Sequence, residues 1–363
     1  MNTQTFLRSA AFATLLFAST NASAQSLADI KPTAEPLVLQ NQGSFFVGGR
    51  SVDTENAGWD NMKEIFGESF EVGKVLVDQM YVQFQTPPHP SHTPIIFMHG
   101  GLLSAKQWET TPDGRMGWYE YFTRQGFPTY LAEQSGRARS GFNATIFNQV
   151  RSGELAPSEQ PRVYLGTSNM AWKQFRFGLN MGEAWPDQQF PLDHVDEFYK
   201  QVIPDMFETQ VPSLLAELLS PETKNPTVDN FAELADELGG AILVGHSQSA
   251  GFPTQAVLKG KGGIKGIIQL ETGCFGNLTD EQVKMLAEVP ILVMVGDHFG
   301  QQPDATCLTE MQQIKAAGGD ITFVSLPDAG LSGNSHMFMQ DKNNLEVADL
   351  IITWISEHVD NAL

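Results

Sequence analysis

The sequence predicts an α/β protein with a mostly parallel central sheet flanked by helices, and three observations predict it. From Ala241 onwards, short apolar runs alternate with stretches of helical length. Two earlier apolar runs stop at glycine-containing turns, His99-Gly100-Gly101 and Gly136-Arg137-Ala138. The chain also opens on two segments rich in β-branched and aromatic residues. A βαβα alternation needs parallel strands, because a helical crossover returns the chain to the same edge each time. With 363 residues and 41% hydrophobic composition, the chain can bury one large domain with an elaboration rather than two small ones.

Residues 37–47 and 75–85 read as strands, and they precede any helix, which predicts an antiparallel opening to the sheet. Residues 94–98 (Pro-Ile-Ile-Phe-Met) form a continuous apolar run of the kind a strand buried on both faces needs. A helix follows over 117–125, then a strand over 129–132. Between 141 and 239 no buried strand is evident. This segment carries Phe147, Trp172, Phe175, Phe177, Trp185, Phe190, Phe198, Tyr199 and Phe207 among polar residues, with helical apolar spacing over 211–219. A crossover needs far fewer residues, so the excess is expected to be a helical insertion or lid over the site, although the same aromatics could pack crossover helices onto the sheet. The remainder reads as strand 241–244, helix 249–258, strand 263–270, helix 279–287, strand 290–295, helix 308–317, strand 321–326 and helix 344–358.

The two ends and the composition limit the function. Residues 1–24 have the form of a signal peptide: Arg8 gives a weak positive start, 10–17 an apolar run too short to span a membrane, and Ala22-Ser23-Ala24 a cleavage site before Gln25. No later stretch approaches the ~20 apolar residues of a membrane span. The formal charge is −20, from 42 acidic and 22 basic residues, and it becomes −21 when Arg8 leaves with the leader. Such a field repels phosphate backbones, which argues against nucleic acid and for a neutral or cationic small molecule; a charged surface also serves solubility. Cys274 and Cys307 are the only cysteines. In an exported protein an even pair favours a disulfide, and no CxxC or HExxH pattern points to a metal.

Three patterns carry chemistry. Val244-Gly245-His246-Ser247-Gln248-Ser249-Ala250-Gly251 follows a strand and opens a helix, the setting of a nucleophile elbow; Ser249 stands where a second glycine is usual. His99-Gly100-Gly101-Leu102 ends an earlier strand, where the N–H of Gly101 or Leu102 could join that of Gln248 as an oxyanion hole. His336 lies after the last strand and before the last helix, where the order Ser, acid, His puts the general base. The other seven histidines have other settings. His246, for example, merely flanks the serine. The acid is either Glu271 or Asp297, which end adjacent predicted strands. Together these patterns indicate the α/β-hydrolase fold.

Trp108-Glu109-Thr110-Thr111-Pro112-Asp113-Gly114-Arg115-Met116-Gly117-Trp118, Gln134-Ser135-Gly136-Arg137, Gly245-His246-Ser247-Gln248-Ser249 and Asn334-Ser335-His336-Met337, with Met339-Gln340-Asp341, resemble the atypical bacterial α/β-hydrolases typified by esterase 713. These blocks span most of the chain. The resemblance implies Glu271 as the acid in place of Asp297, a bridge between Cys274 and Cys307, and compatibility with a homodimer. It departs at Gly101-Leu102, where the family can place other residues. Residues and resemblance together predict a periplasmic or secreted serine carboxylesterase using Ser247, His336 and Glu271, with no metal or organic cofactor. A lactonase or C–C bond hydrolase would share this machinery, and a silent binding protein would keep only the fold.

Overall fold

Among the described residues eight strands form one sheet: β1 (Asn41–Thr54), β2 (Gly73–Thr86), β3 (Ile95–Met98), β4 (Thr129–Ala132), β5 (Ala241–His246), β6 (Ile264–Leu270), β7 (Ile291–Val295) and β8 (Ile321–Ser325). Their order across the sheet is β1-β2-β4-β3-β5-β6-β7-β8. The structure, a computed structural model, describes residues 27–31, 33, 35–67, 71–205, 226–260, 262–271, 275, 277–298 and 305–360. The leader segment, the apolar run at 211–219, Phe207 and Cys274 lie outside the described residues.

β2 pairs antiparallel with both β1 and β4, and every other pairing is parallel. The antiparallel opening is therefore present. β1 is longer than the sequence suggests: its ladder runs unshifted from Asn41 opposite Thr86 to Thr54 opposite Gly73, passing through Gly48-Gly49 at φ of 63° and 95°. Glycine takes these values without steric cost, so the pair sits inside the strand without breaking its ladder.

The central strands explain their own composition. β3, β5 and β7 are buried at every position because helices cover both faces. Successive side chains alternate between two core layers. Ile95 and Phe97 join Val244, Leu270 and Met294 on one face, under Trp118 and Phe122 of the helix Trp118–Arg124 and Ile351 and Ile355 of the helix Asn344–His358. Ile96 and Met98 join Leu243, Ile267 and Val293 on the other, under the helices Pro226–Glu237, Phe252–Leu258, Asp280–Leu286 and Ala305–Ala316.

The long segment before β5 divides in two. Helix Pro226–Glu237 buries Phe231 and Leu234 against the sheet and is the crossover itself. Before it, Trp172, Phe175, Phe177, Phe190 and Phe198 enter the first core layer, whereas Phe147, Trp185 and Tyr199 are only half-buried. After Ser247 the expected helix begins as a 3-10 turn, Ser247–Gly251, and becomes α-helical only from Phe252. Pro253 suits the first turn of an α-helix, where its missing N–H costs nothing.

Candidate active site

β5 delivers Ser247 at the carboxyl edge of the sheet in a left-handed conformation, φ 55°. Such backbone is costly for a residue with a side chain and persists only where the surroundings hold it. Gly245 makes the turn feasible, since a Cβ there would lie 2.1 Å from the Ser249 carbonyl oxygen. Ser249, the departure from the usual glycine, is fully buried, and its Oγ accepts the His246 N–H at 3.0 Å while lying 3.2 Å from the Met98 carbonyl. The hydroxyl thus ties the elbow to β3.

Ser247, His336 and Glu271 form one hydrogen-bonded line. Ser247 Oγ is 2.8 Å from His336 Nε2, and His336 Nδ1 is 2.9 Å from Glu271 Oε2. An ionised carboxylate only accepts, so Nδ1 carries the proton and Nε2 is free to accept from the serine hydroxyl. Glu271 follows β6 at φ 69°, and its Oε1 accepts the Gly296 N–H at 2.8 Å. Its Oε2 also meets the guanidinium of Arg176, which projects from the insertion. Burial pushes the Glu271 carboxyl up, but the His336 and Arg176 charges and the hydrogen bonds outweigh it, and the group is held below the usual glutamate range.

Asp297 is not part of this line. Its Oδ2 accepts the Gly333 N–H at 2.7 Å, which fixes the start of the loop carrying His336. With Asp187 and His298 it forms the one trio of metal-ligating side chains found among the described residues, with donor atoms within 4.8 Å of one another. The trio stands beside the Ser247–His336–Glu271 line, with Asp187 exposed and His298 stacked on Trp185 at 4.6 Å.

The loop of His336 is held from several sides. His246 is fully buried, and burial, reinforced by the His336 charge, drives it well below the ordinary histidine range. The ring is therefore neutral: Nε2–H donates to the His336 carbonyl at 2.9 Å, and Nδ1 accepts from Gln107 Nε2 at 3.3 Å. Gln107 Oε1 in turn accepts the Gly100 N–H at 3.0 Å, linking the imidazole loop to the glycine turn. Asp341, also fully buried, accepts from Ser335 N, Ser335 Oγ and Asn334 Nδ2 at 2.7, 2.7 and 3.0 Å. Arg115 clamps the far side, donating to the carbonyls of Gln340 and Asp341 and to Asn344 Oδ1. The tryptophan-bounded block 108–118 is thus a buttress for the segment after His336.

Around the glycine turn, Gly100 lies directly against Ser247: a Cβ on it would be 2.9 Å from His246 Nδ1 and 3.3 Å from Ser247 Cβ. A Cβ on Gly101 would meet Gln248 Oε1 at 3.4 Å. The Leu102 N–H donates to Asp205 Oδ2 at 2.9 Å, which leaves Gly101 as the loop candidate to pair with Gln248. His99 is buried and pushed down to about 3, chiefly by burial, so it too is neutral. Its Nε2 accepts the Gln134 N–H at 3.0 Å, and Nδ1–H donates to the Gly100 carbonyl at 2.9 Å.

Four supporting side chains were not singled out from the sequence. Gln107 and Asp341 lie beside or within the blocks that carry the family resemblance, and that position was the available signal. In the sequence His246 reads only as a neighbour of the serine, yet it holds the His336 carbonyl. Arg176 had no signal, being one cation in an insertion of irregular pattern. Cys307 is fully buried in the helix Ala305–Ala316.

A mostly parallel sheet with a left-handed serine between strand and helix, facing a histidine from the last loop, defines an α/β-hydrolase. The chain is 41% identical to a solved structure of a novel bacterial esterase, with a TM-score of 0.80, covering 90% of this chain and 99% of that one. It is also 27% identical over 339 residues to the probable secreted lipase phiG of Fungal sp. (strain ATCC 74256), covering 78% of this chain and 88% of that protein. No family model matches the chain. The chain belongs to the family of bacterial esterases that the solved structure represents, and is a carboxylic-ester hydrolase of the α/β serine-hydrolase class.

Proposed function

We propose that this protein is a secreted serine carboxylesterase working through an acyl-enzyme with Ser247, His336 and Glu271. The observation that carries the reading is the unbroken line from Ser247 Oγ through His336 to Glu271 Oε2, at 2.8 and 2.9 Å. Ser247 Oγ attacks the ester carbonyl carbon as His336 Nε2 takes the hydroxyl proton. The oxyanion accepts hydrogen bonds from the N–H groups of Gly101 and Gln248, and losing one such donor typically costs about 2.7–4 kcal/mol. Collapse expels the alkoxide, which receives the proton from His336 Nε2 and leaves as the alcohol. A water then gives its proton to His336 and attacks the acyl carbon; the acid departs and Ser247 Oγ recovers its proton.

Export to the periplasm or the medium is supported by the leader-like segment 1–24 and by the secreted lipase relative. A Cys274–Cys307 bridge fits that compartment. Among the described residues no helix is long and apolar enough to cross a membrane. In the same reading the insertion before residue 206 serves as the cover of the site, contributing Phe175, whose carbonyl accepts the His336 N–H, and Arg176.

Rapid mixing with a chromogenic ester tests the mechanism: the wild type gives a burst of alcohol and Ser247→Ala gives none. Undiminished turnover in Ser247→Ala contradicts it. Product analysis on a panel of simple esters, lactones and diketones separates ester hydrolysis from lactone or C–C bond cleavage.

A further inference from the structure

One buried charge pair outside the reacting line touches both sides of the proposed oxyanion hole. Asp205 and Arg137 have side-chain exposures of 0% and 2%, with Asp205 Oδ1 2.7 Å from Arg137 Nη2. Asp205 belongs to the insertion, and its backbone is fixed by a two-way bridge with Tyr164, at 2.7 and 3.1 Å. Its other oxygen, Oδ2, accepts the Leu102 N–H, while Ile203 N donates to the Leu102 carbonyl at 2.8 Å. Both polar backbone atoms of Leu102 are thus held by the insertion. Leu102 needs such a hold, because at φ 59° it sits in the left-handed region that a residue with a Cβ adopts at a cost.

The same guanidinium reaches the opposite side. Arg137 Nη1 donates to Gln248 Oε1 at 2.8 Å, and Gln248 is the residue after the nucleophile. Stability alone does not account for the pair, since desolvating two charges offsets most of what their attraction returns.

We propose that Asp205 and Arg137 are positioning residues for the oxyanion hole. Asp205 sets the Gly101-Leu102 turn, Arg137 sets Gln248, and the charge pair between them fixes the spacing of the two N–H donors. The inference rests on the acyl-transfer reading above. It assigns the insertion a task in the chemical step: part of it is a wall of the site, tied to the turn after β3.

The test compares wild type, Asp205→Asn, Arg137→Lys and Asp205→Asn combined with Leu102→Gly. The readouts are kcat and KM for a soluble ester, and inhibition by an alkyl trifluoromethyl ketone, which forms a tetrahedral adduct. A product alcohol serves as the ground-state comparison. Asp205→Asn is expected to lower kcat by about tenfold to a hundredfold, a misplaced donor costing up to what its removal costs. KM and alcohol inhibition stay near wild type, and ketone affinity falls in step with kcat/KM. Arg137→Lys keeps a charge opposite Asp205 but cannot fork between Asp205 and Gln248, and should lower kcat about tenfold. Glycine at 102 takes the left-handed conformation freely, so the double variant should recover part of the lost kcat.

Wild-type kcat in Asp205→Asn, a loss confined to KM, or no recovery with Leu102→Gly would overturn the proposal. If Asp205→Asn does not fold, Arg137→Lys decides, and an unchanged kcat there overturns it. Ser247→Ala separates the two levels. Turnover in that variant removes the acyl-transfer reading, whereas an inactive Ser247→Ala beside fully active Asp205→Asn removes only the positioning role.

Discussion

Replacing Arg176 by Gln should lower kcat and leave KM near wild type. Arg176 and His336 both face Glu271 Oε2, so the guanidinium shares the carboxylate oxygen that accepts from the imidazole. The Arg176 charge is also one of the causes that hold the Glu271 carboxyl below the usual glutamate range, and without it the carboxyl rises. A hydrogen bond to a charged group contributes about 1.5–3 kcal/mol. Each 1.4 kcal/mol is about tenfold in rate, so the upper bound on the loss is roughly a hundredfold. Arg176 is 12% exposed, and solvent takes up part of the lost contact, which brings the expected loss to about tenfold. The assay is kcat and KM for a soluble chromogenic ester. An unchanged kcat in Arg176→Gln, or a loss confined to KM, refutes the argument.

Burial raises Asp341 to about 7, against the opposing effect of its bonds to Ser335 and Asn334. The folded state therefore holds that proton more tightly than an unfolded chain with an ordinary carboxyl near 3.8, and this contribution to stability is lost as pH rises from about 4 to about 7. Thermal melts of Asp341→Asn should lack that component, and kcat should fall about tenfold, the equivalent of one hydrogen bond, as the Ser335-His336 turn loosens. Glu271, held low in the folded protein, has the opposite sign: its contribution is present above the ordinary glutamate range and fades in more acidic solution. Gly245→Ala should give a folded protein with kcat down more than about a hundredfold, because the added methyl meets the Ser249 carbonyl; wild-type kinetics would contradict this. Ser249→Gly should cost about 1 kcal/mol in denaturant unfolding despite restoring the commoner residue, because it removes the hydroxyl bonds to His246 and Met98. Intact mass with alkylation should show no free thiol until reductant is added; two thiols alkylated in unreduced, unfolded protein contradict the Cys274–Cys307 bridge.

The sheet was legible because its strands obey a simple rule. A parallel strand covered on both faces must be apolar throughout, and residues 94–98, 241–244 and 290–295 read that way directly. The first strand runs past the expected end at residue 47 to Thr54, because glycine at 48 and 49 permits a turn and a strand equally well and only the partner strand decides. Ser247 and His336 were legible because each sits at a strand end or late loop that the fold order defines. From the residues alone Glu271 and Asp297 were equal candidates, and the family resemblance separated them; in the structure Glu271 meets the imidazole and Asp297 caps the start of its loop. Arg176, Asp205 and His246 escaped because their roles depend on contacts across 95, 103 and 90 positions, which no local pattern encodes.

The most direct measurement is peptide mapping after a fluorophosphonate has reacted with the folded protein. The account predicts a single adduct on the peptide containing Ser247, formed far more slowly in His336→Ala and absent in Ser247→Ala. An adduct on a different residue, accompanied by full loss of esterase activity, would contradict it.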